Sequence, residues 1–449
     1  MNVNRANRWW VAGAAVLALL LTATTIVMAA TRHHDASSTP SKSPAAVGLP
    51  AQLLLTSSMR KQPVPGWQIS AEQLGLPPGG VPKLIGNVGD RGIFLGITGT
   101  GWWLAGVDVA TGKRLFPAVE LGRPDDALGF NCFVNGPKMV LCIREDRDPA
   151  KPARAWVVDT DHGSTIFDGP TELRIPPFDN HPTVEQRGDY AVATVSGEGV
   201  HGVGPHAELT WFVPGGGHLS GEKDWEHDAA PQSLAAQDGG PSSSTYVVFS
   251  LADGTAVKPQ VPQGVLLSQA IIYPGGFGYE YSVNGEFSST QVRFFDDTGK
   301  ALGQPDFKGT ILTGSRDVPM VTTPSKDVVL TLDGHELLEL AATPGLEARL
   351  VGQRLFVTGG GDDRHWRQYD LQSGATEKTC DIEGIGSYYI ASDGEVAVLM
   401  GDDSAAVGYD LATCDKLWSI PSSVQDVWRV NTTLIEHIND EMFSLVAPP

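Results

Sequence analysis

One short unit recurs along the chain and restricts the fold more than any other feature. In each copy an alternating apolar strand ends in a polar residue, a tight turn close to Asp-x-x-[Thr/Ser]-Gly follows, and a second strand leaves the turn. The clearest copies are "VDVATGKRLF" and "GYDLATCDKLW". Such turns join antiparallel strands, so the chain predicts a series of similar β units. The repeat-turn residues are Asp108, Asp159, Asp296, Asp333, Asp370 and Asp410, with weaker copies around Val213 and Leu251.

The spacing of the copies predicts a ring of blades. Successive turn positions are 37 to 54 residues apart, and most turns are preceded by another apolar strand, such as "KMVLCIRE" or "GEVAVLMG". A period of about 40 to 50 residues with several short strands is typical of a β-propeller, in which each blade is buried only by its neighbours. We therefore predict an all-β fold, a propeller of seven or eight four-stranded blades. A pair of β-sandwiches with ordinary Asp-Gly hairpins is the alternative.

The two ends of the chain predict how the ring closes. The last segment, "VWRVNTTLIEHINDEMFSLVAPP", contains strands but no Asp turn, so it is an incomplete unit. An N-terminal strand such as "GWQISAEQL" would complete this unit and remove the free strand edges.

The N-terminal region predicts a membrane anchor. Residues 9–30 contain 22 residues without a charge, which is long enough to cross about 30 Å of hydrocarbon as a helix. A cleaved signal peptide is the alternative, because Val27-Met-Ala29 fits a small-residue cleavage pattern, although the apolar stretch is longer than usual. We predict a cytoplasmic tail (1–8), a transmembrane helix (9–30), a flexible Ser/Thr/Pro/Ala-rich stalk (31–63) and an extracytoplasmic propeller (64–449). The protein is then a single-pass protein of the cytoplasmic membrane.

The charge of the chain excludes one class of partner. Of the 32 Lys and Arg residues, Arg5 and Arg8 precede the predicted helix, whereas all 52 acidic residues follow it, so the remainder carries about −22. Such an exterior repels nucleic acid and anionic lipid headgroups. We therefore expect no nucleic-acid partner.

The four cysteines predict two disulfide bonds in an oxidising compartment. They have no zinc-binding spacing and form two sequence-local pairs. Cys132 and Cys142 flank a turn and are expected to face each other across a hairpin, with two buried free thiols as the alternative. Cys414 replaces the turn glycine of its unit, a substitution that we expect to need a negative φ, and its bond to Cys380 would join two neighbouring blades near the ring closure.

The unit Asp-[Leu/Val]-x-[Thr/Ser]-Gly, followed by a basic residue and an apolar strand, resembles the repeat of PQQ-like β-propellers. Together with the predicted anchor and stalk, the chain resembles membrane-anchored propellers of the actinobacterial cell envelope over about residues 64–447. This resemblance implies the fold but leaves both enzymes and non-catalytic scaffolds open. A quinone-dependent dehydrogenase of this kind would be expected to have adjacent cysteines, which the chain lacks. We therefore expect no PQQ and no other cofactor.

Acidic loops form the main candidate site. In two consecutive units a pair of acids lies seven residues before the turn Asp, so both pairs are expected on the same face of the ring. A third loop, "REDRDPAKPAR", has acids in the corresponding place. Such a rim would suit a basic partner surface or a divalent cation, whereas ordinary solvated loop tips are the alternative. The candidate rim consists of Asp362, Asp363, Asp402, Asp403, Glu145, Asp146 and Asp148.

Other functional patterns are weaker. We expect the tryptophans to pack between blades, and Trp102-Trp103 is the first place to look for a carbohydrate-stacking face. Two or three of the clustered histidines could meet at a metal, although their spacing is not diagnostic and we predict no metal site. These histidines are His162, His181, His201, His206, His218 and His227.

The sequence favours a binding protein over an enzyme. It contains no nucleophile elbow and no phosphate-binding loop, and "HELLE" lacks the second His of a zinc-protease helix. We predict a non-catalytic interaction scaffold that binds envelope proteins. The alternatives are an enzyme acting on cell-wall sugar or lipid, with catalytic carboxylates in the acidic rim, and a ligand-binding sensor.

Overall fold

The computed structural model describes most of the chain from residue 48 onward. Within these residues no helix is both long and apolar enough to cross a bilayer. The segment 9–30, predicted as a membrane helix, lies outside the described residues. The described residues are 48–449 except 124–126, 149–150, 176–180, 222–227, 241–244, 284–289, 304–305, 360–364, 373–375, 381, 383, 402 and 422–425.

The described residues form 35 strands and two one-turn helices, arranged in nine antiparallel sheets that we number in chain order. Before sheet 1 come β1 (Val64–Ser70) and helix α1 (Ala71–Leu74). Sheet 1 contains β2 (Val81–Val88), β3 (Arg91–Ile97), β4 (Trp102–Asp108), β5 (Lys113–Arg114) and β6 (Val119–Gly122). Sheet 2 contains β7 (Ala127–Val134), β8 (Met139–Asp146), β9 (Ala153–Asp159) and β10 (Ser164–Thr171). Sheet 3 contains β11 (Thr183–Arg187), β12 (Tyr190–Val195), β13 (Gly199–Val203) and β14 (Leu209–Pro214).

The middle of the chain forms three more sheets. Sheet 4 contains β15 (Leu234–Gln237) and β16 (Val247–Ser250). Sheet 5 contains β17 (Val265–Tyr273), β18 (Gly276–Val283), β19 (Gln291–Asp296) and β20 (Phe307–Lys308). Sheet 6 contains β21 (Thr310–Ile311), β22 (Met320–Thr322), β23 (Lys326–Leu330) and β24 (Glu336–Ala341).

The C-terminal part forms the last three sheets. Sheet 7 contains β25 (Glu347–Val351), β26 (Arg354–Thr358), β27 (Trp366–Asp370) and β28 (Thr376–Cys380). Helix α2 (Gly384–Ser387) precedes sheet 8. Sheet 8 contains β29 (Tyr389–Ser392), β30 (Val396–Leu399), β31 (Ser404–Asp410) and β32 (Lys416–Pro421). Sheet 9 contains β33 (Asp426–Val430), β34 (Thr433–Ile438), β35 (Glu441–Val446) and the N-terminal β1.

Hydrophobic seams between successive sheets close the ring. Among the described residues there are nine buried clusters, and each combines side chains of two consecutive sheets. The cluster that closes the ring joins sheet 9 to sheet 1 through Ile69, Phe94 and Ile435. Each sheet is therefore buried on both faces by its neighbours, which is the architecture of a β-propeller.

Eight of the nine sheets have four strands or more, which confirms the prediction of an all-β propeller and its eight-blade alternative. The predicted closure is also confirmed, because β1 pairs antiparallel with β35, with Ser70 opposite Glu441. The ring has a ninth member, sheet 4, which corresponds to the weak copy around Leu251. Its two strands are extended by isolated bridges, Leu219 to Gln237 on one side and Phe249 to Ala256 on the other, so it is a reduced blade.

The antiparallel order gives the ring two distinct faces. First strands of neighbouring sheets contact each other, for example β2 with β7 and β29 with β33, so the first strands lie innermost. Connections between strands 1 and 2 and between strands 3 and 4 lie at one end of each sheet, which we call the turn face. Connections between strands 2 and 3 lie at the other end, the loop face.

The repeated Asp organises the turn between strands 3 and 4. The Asp108 carboxylate accepts hydrogen bonds from the backbone N–H and the hydroxyl of Thr111, and the Gly112 N–H donates to the Asp108 carbonyl at 2.7 Å. Gly112 has φ +70°. In the Asp410 turn the carboxylate accepts hydrogen bonds from the N–H groups of Ala412 and Thr413. A side-chain cap and a left-handed residue thus define the unit.

Both predicted disulfide bonds are present. Cys132 faces Cys142 across the β7–β8 hairpin, with 4.0 Å between the Cα atoms. Cys380 is bonded to Cys414 with a Cα–Cα distance of 5.6 Å and joins sheet 7 to sheet 8. The expected negative φ at Cys414 is wrong: its φ is +60°, in the left-handed region that the turn glycines use. The turn requires this backbone because the Cys414 N–H donates to the Asp410 carbonyl.

The segment 48–60 is a strap across the turn face. The Gln52 side chain exchanges two hydrogen bonds with the backbone of Gly352 in sheet 7, and the Leu55 N–H donates to the Ser392 carbonyl in sheet 8. The Thr56 N–H donates to Thr432 in sheet 9. The predicted stalk, 31–63, therefore extends too far toward the C terminus. Its composition predicted flexibility, but the backbone of this part is satisfied by the turns of three sheets.

Candidate functional site

The described part of the predicted acidic rim lies on the loop face. Asp148 is exposed in the connection between β8 and β9, and Asp403 is exposed directly before β31. Both connections join strands 2 and 3 of their sheets, as the prediction of a common face required. The Asp146 carboxylate accepts a hydrogen bond from the Asp148 N–H and lies 3.5 Å from the Lys151 ammonium. These contacts, the backbone bond first, lower the Asp146 pKa. Asp362, Asp363 and Asp402 lie outside the described residues.

Glu145 does not belong to this rim, which corrects the prediction. Its side chain is only 4% exposed, and its carboxylate accepts a hydrogen bond from the Ile175 N–H at 2.7 Å. Glu145 lies in β8, where successive side chains point to opposite faces of the sheet. Its carboxylate is directed toward the segment that follows β10. It stabilises the segment that follows β10 instead of presenting a charge to a partner.

The Trp102-Trp103 pair does not form an open stacking surface. Trp102 is 8% exposed and its ring is stacked on Phe130 at a centroid distance of 4.1 Å, within the seam between sheets 1 and 2. Trp103 is half-buried against the seam between sheets 9 and 1. Alternation along β4 therefore directs the two rings into two different seams, and the carbohydrate-binding alternative at this place is wrong.

The clustered histidines are spread over separate contacts. His162 pairs with Asp159 at 3.1 Å, the His201 ring stacks on Phe212, and His218 lies 3.4 Å from Asp238. In the part of the chain that the structure describes, no three His, Cys, Asp or Glu side chains converge as metal ligands. His227 lies outside the described residues.

A buried polar cluster links opposite sides of the ring. Asp228 precedes sheet 4, yet its carboxylate receives hydrogen bonds from Arg429 of β33, at 2.7 Å, and from the hydroxyl of Tyr389 of β29. Arg349 of β25 stacks on the Tyr389 ring. The backbone carbonyl of Asp228 accepts from Leu53 of the strap. Asp228 therefore contacts the innermost strands of sheets 8 and 9 as well as the strap.

Burial governs the ionisation of this cluster. Asp228 is 2% exposed, and burial raises its pKa to about 6 although Arg429 acts in the opposite direction. Burial also raises the pKa of Tyr389 far above its usual value, so its hydroxyl remains a donor. The cluster therefore ties Asp228 to sheets 8 and 9.

A cavity of about 570 Å³ opens on the turn face across sheets 2, 3 and 4. Its volume lies within the roughly 300 to 1,000 Å³ range of small-ligand sites. Aromatic and aliphatic side chains form one wall, and paired charged groups form the other. The lining of the cavity includes Trp211, Tyr190, Ile166, Lys138, Asp159 and Asp161.

The charged wall of this cavity is internally paired. The Asp161 carboxylate binds Arg91 and also the Lys138 ammonium, at 3.2 Å. The Asp159 carboxylate receives bonds from the His162 ring and from the Asp161 N–H. These bonds lower the pKa of both carboxylates, Asp161 chiefly through Arg91 and Asp159 chiefly through His162. Both remain ionised at neutral pH, balanced by the two cations.

This cavity was not predicted from the sequence. The residues that line the cavity come from the ends of three sheets. They span more than a hundred positions of the chain, from Asn135 to Ala252. One local feature accompanies it: the turn of sheet 3 has no Asp, and Ala207 takes φ +55° there. The corresponding weak copy was assigned to Val213, which lies in the outer strand β14 instead.

Comparison with known proteins places the chain in a family. A family model described as "conjugation-associated 9-bladed beta-propeller domain" matches residues 39–448. A protein of Mycolicibacterium smegmatis (strain MKD8), described as uncharacterized, is 35% identical over 430 residues, which cover 89% of this chain and 88% of the relative.

Solved structures are similar at the level of the fold only. The designed protein Ika8 has a TM-score of 0.34 at 13% identity and covers 68% of this chain and 93% of its own. BamB from Moraxella catarrhalis has a TM-score of 0.34 at 10% identity and covers 86% and 100%. The C-terminal WD40 domain of Sif2 has a TM-score of 0.33 at 10% identity and covers 82% and 99%. We draw no functional argument from these similarities.

Proposed function

This chain belongs to the family of conjugation-associated 9-bladed β-propeller domains, and on that premise we propose that it is a non-catalytic interaction scaffold. Its partners are other proteins of the cell envelope that take part in conjugation. The chain is held at the cytoplasmic membrane by residues 9–30, with the propeller on the extracytoplasmic side. PQQ and other cofactors have no part in this function.

The closed ring is the observation that carries the proposal. Nine seams, the strand pair β1–β35 and the bond between Cys380 and Cys414 hold the sheets in fixed positions. The connections on the loop face contribute little to these seams, so they are free to vary in sequence while the framework stays the same. A stiff framework that presents variable loops binds partners with little loss of conformational entropy.

Charge directs the proposed partner to the loop face. The chain has a net charge of −20, and Asp148 and Asp403 are exposed there. Complementary charge accelerates encounter and selects the orientation of a partner. We propose that the partner presents a basic surface to the acidic rim formed by Asp146, Asp148, Asp362, Asp363, Asp402 and Asp403.

Crosslinking in intact cells followed by affinity capture and mass spectrometry tests the scaffold. The test variant replaces Asp362, Asp363, Asp402 and Asp403 with Asn, which removes four charges from the predicted rim. We expect wild type to capture one envelope complex reproducibly and the variant to capture at least five-fold less of it.

A matched control removes four charges from the turn face. It combines Asp253→Asn, Asp333→Asn, Glu395→Gln and Asp415→Asn, four positions in turns at that end of the sheets. This control should capture as much as wild type. Equal loss in both variants would mean that net charge alone acts, and unchanged capture by the rim variant would overturn the role of the acidic rim. Capture of no partner by wild type would overturn the scaffold.

A further inference from the structure

We infer that the turn-face cavity across sheets 2 to 4 is a binding site for a neutral saccharide. The site lies at the end of the sheets opposite the acidic rim, so it adds a second binding function to the proposed scaffold. The cavity combines an aromatic wall, a charge-balanced polar wall and a mouth open to solvent.

The aromatic wall is held in place by its surroundings. The Trp211 ring lies over Gly202, where a Cβ would be 2.4 Å from the indole Nε1, and against Gly254 of the next sheet. It also packs edge-on against the buried ring of Phe249. Trp211 and Tyr190 nevertheless remain partly exposed and line the cavity. The partly exposed surfaces of the Tyr190 and Trp211 rings provide an apolar wall that the C–H groups of a pyranose can cover.

The polar wall offers donors and acceptors side by side. The Lys138 ammonium and the Asp161 carboxylate are adjacent at 3.2 Å, and His162 stands beside Asp159. Each carboxylate has lone pairs beyond those used by its partners, and Lys138 has three donors of which this pair uses one. Vicinal hydroxyls, which donate and accept at neighbouring atoms, match such a pair. Hydrogen bonds to ionised groups are the stronger kind.

The balance of charge excludes charged ligands. An anion would have to approach Asp159 and Asp161, and the whole chain carries −20. A cation would have to displace Arg91 or Lys138 from Asp161, since the carboxylate is already paired with both. A neutral polyhydroxylated ligand keeps these pairs and still gains hydrogen bonds. An entirely apolar ligand would leave the charged wall desolvated without partners.

The test is a titration of the purified full chain with neutral sugars. Methyl glucoside, methyl galactoside, methyl mannoside and the β-1,4-linked tetramers of glucose and of N-acetylglucosamine are added while saturation-transfer NMR and calorimetry monitor binding. We expect saturable binding of at least one sugar. A complete absence of saturable binding up to 20 mM, on the order of the weakest affinity that a site should have, overturns the proposal.

The blocking variant is Ala252→Trp, which fills the cavity at an exposed turn position without deleting a contact. Ala412→Trp is its matched control. Ala252 in "SLADG" of sheet 4 and Ala412 in "DLATC" of sheet 8 both lie two residues after the capping residue of their turn, and both are exposed. We expect Ala252→Trp to weaken binding at least ten-fold and Ala412→Trp to leave it unchanged. Equal affinities for both variants overturn the site.

A second variant, Lys138→Met, keeps an unbranched stem of four heavy atoms and removes the ammonium, and it should weaken binding three- to ten-fold. Unchanged affinity would overturn the role of the polar wall.

Co-sedimentation with purified cell-wall sacculi distinguishes two sources of the same saccharide chemistry, a wall polymer and a free sugar. If the wild type sediments with the sacculi, the soluble sugar competes and Ala252→Trp no longer sediments, the ligand is a wall polymer. If the wild type binds soluble sugar but does not sediment, the ligand is a free sugar. Both results support the site.

Discussion

Cys414 is bonded to Cys380 in the kind of seam where other sheets place a turn glycine against an aromatic ring. A Cβ at Gly112 would lie 2.6 Å from the Trp67 ring of the preceding sheet, and Gly163 has the same relationship to Phe116. At the seam between sheets 7 and 8 the outer strand β28 presents Cys380 instead of an aromatic ring. The cysteine thus replaces a packing contact by a covalent one while it keeps the left-handed backbone of the turn.

Removing this bond should destabilise the ring. We expect Cys380→Ser/Cys414→Ser to lose about 2 to 4 kcal/mol of unfolding free energy in urea, the usual contribution of a disulfide. Because Ser must also adopt φ near +60°, Cys380→Ser/Cys414→Gly should be about 1 kcal/mol more stable than the double-Ser variant. Equal stability of the two double variants would contradict a backbone requirement at position 414.

The glycine seam should be intolerant of a single methyl group. Gly254 has φ +70° and lies against Trp211, where a Cβ would be 2.6 Å from the ring. We expect Gly254→Ala to cost about 2 to 4 kcal/mol, the sum of backbone strain and overpacking. Gly264 has φ +83° with nothing within 4 Å, so Gly264→Ala carries the strain alone and should cost about 1 kcal/mol. Urea denaturation of both variants measures the difference, and equal losses would show that Trp211 yields to the methyl group.

The repeat made most of the architecture predictable. Several turns have a local cause, an Asp side chain that caps them, so copies such as Asp108 and Asp410 remain visible in the sequence. In sheet 6 the capping residue is Thr331 and not the predicted Asp333, because the His335 N–H donates to the Thr331 hydroxyl. The weak copies mark where this cause is missing. In sheet 3 the turn is closed by backbone bonds between Gly204 and Glu208, and in sheet 4 Ser250 takes the place of the Asp. Eight turn-bearing copies and the closing unit correspond to the nine sheets.

The sites were less predictable because they depend on contacts between distant segments. Periodicity indicated which connection holds Glu145 and Asp148, but the burial of Glu145 depends on Ile175, thirty residues later. In the same way, Trp102 and Trp103 are directed into two seams by sheets from both ends of the chain. Local patterns specify turns and strands, whereas exposure is decided by whichever loop folds over them.

Glu145 and Asp148 should therefore differ in their effect on stability. Glu145→Ala leaves the part-buried Ile175 N–H without its acceptor and should cost about 1 to 3 kcal/mol. Asp148→Ala removes an exposed side chain and should change the unfolding free energy by about 0.5 kcal/mol or less. Thermal and urea unfolding of the two variants measure this contrast. A Glu145→Ala protein as stable as wild type would mean that water replaces the carboxylate.

Asp228 should give the stability of the ring a distinctive dependence on pH. Its pKa is raised from 3.8 to about 6 by burial, so the folded protein holds a proton that the unfolded chain releases near pH 4. The protonated form contributes fully below about pH 4, and this contribution is lost as the pH rises through about 6. Arg429, Arg349, Tyr389 and Asp317 are the charged and titratable groups that act on this carboxyl.

The comparison of wild type with Asp228→Asn isolates this effect, since Asn cannot titrate. The unfolding free energy of wild type minus that of the variant should fall by on the order of 3 kcal/mol between pH 4 and pH 7, which corresponds to about two pKa units. Carboxylates with lowered pKa, such as Asp159 and Asp161, act in the opposite direction but equally in both proteins, so the difference removes them. A difference that stays constant over this interval would show that Arg429 compensates fully for the burial of Asp228.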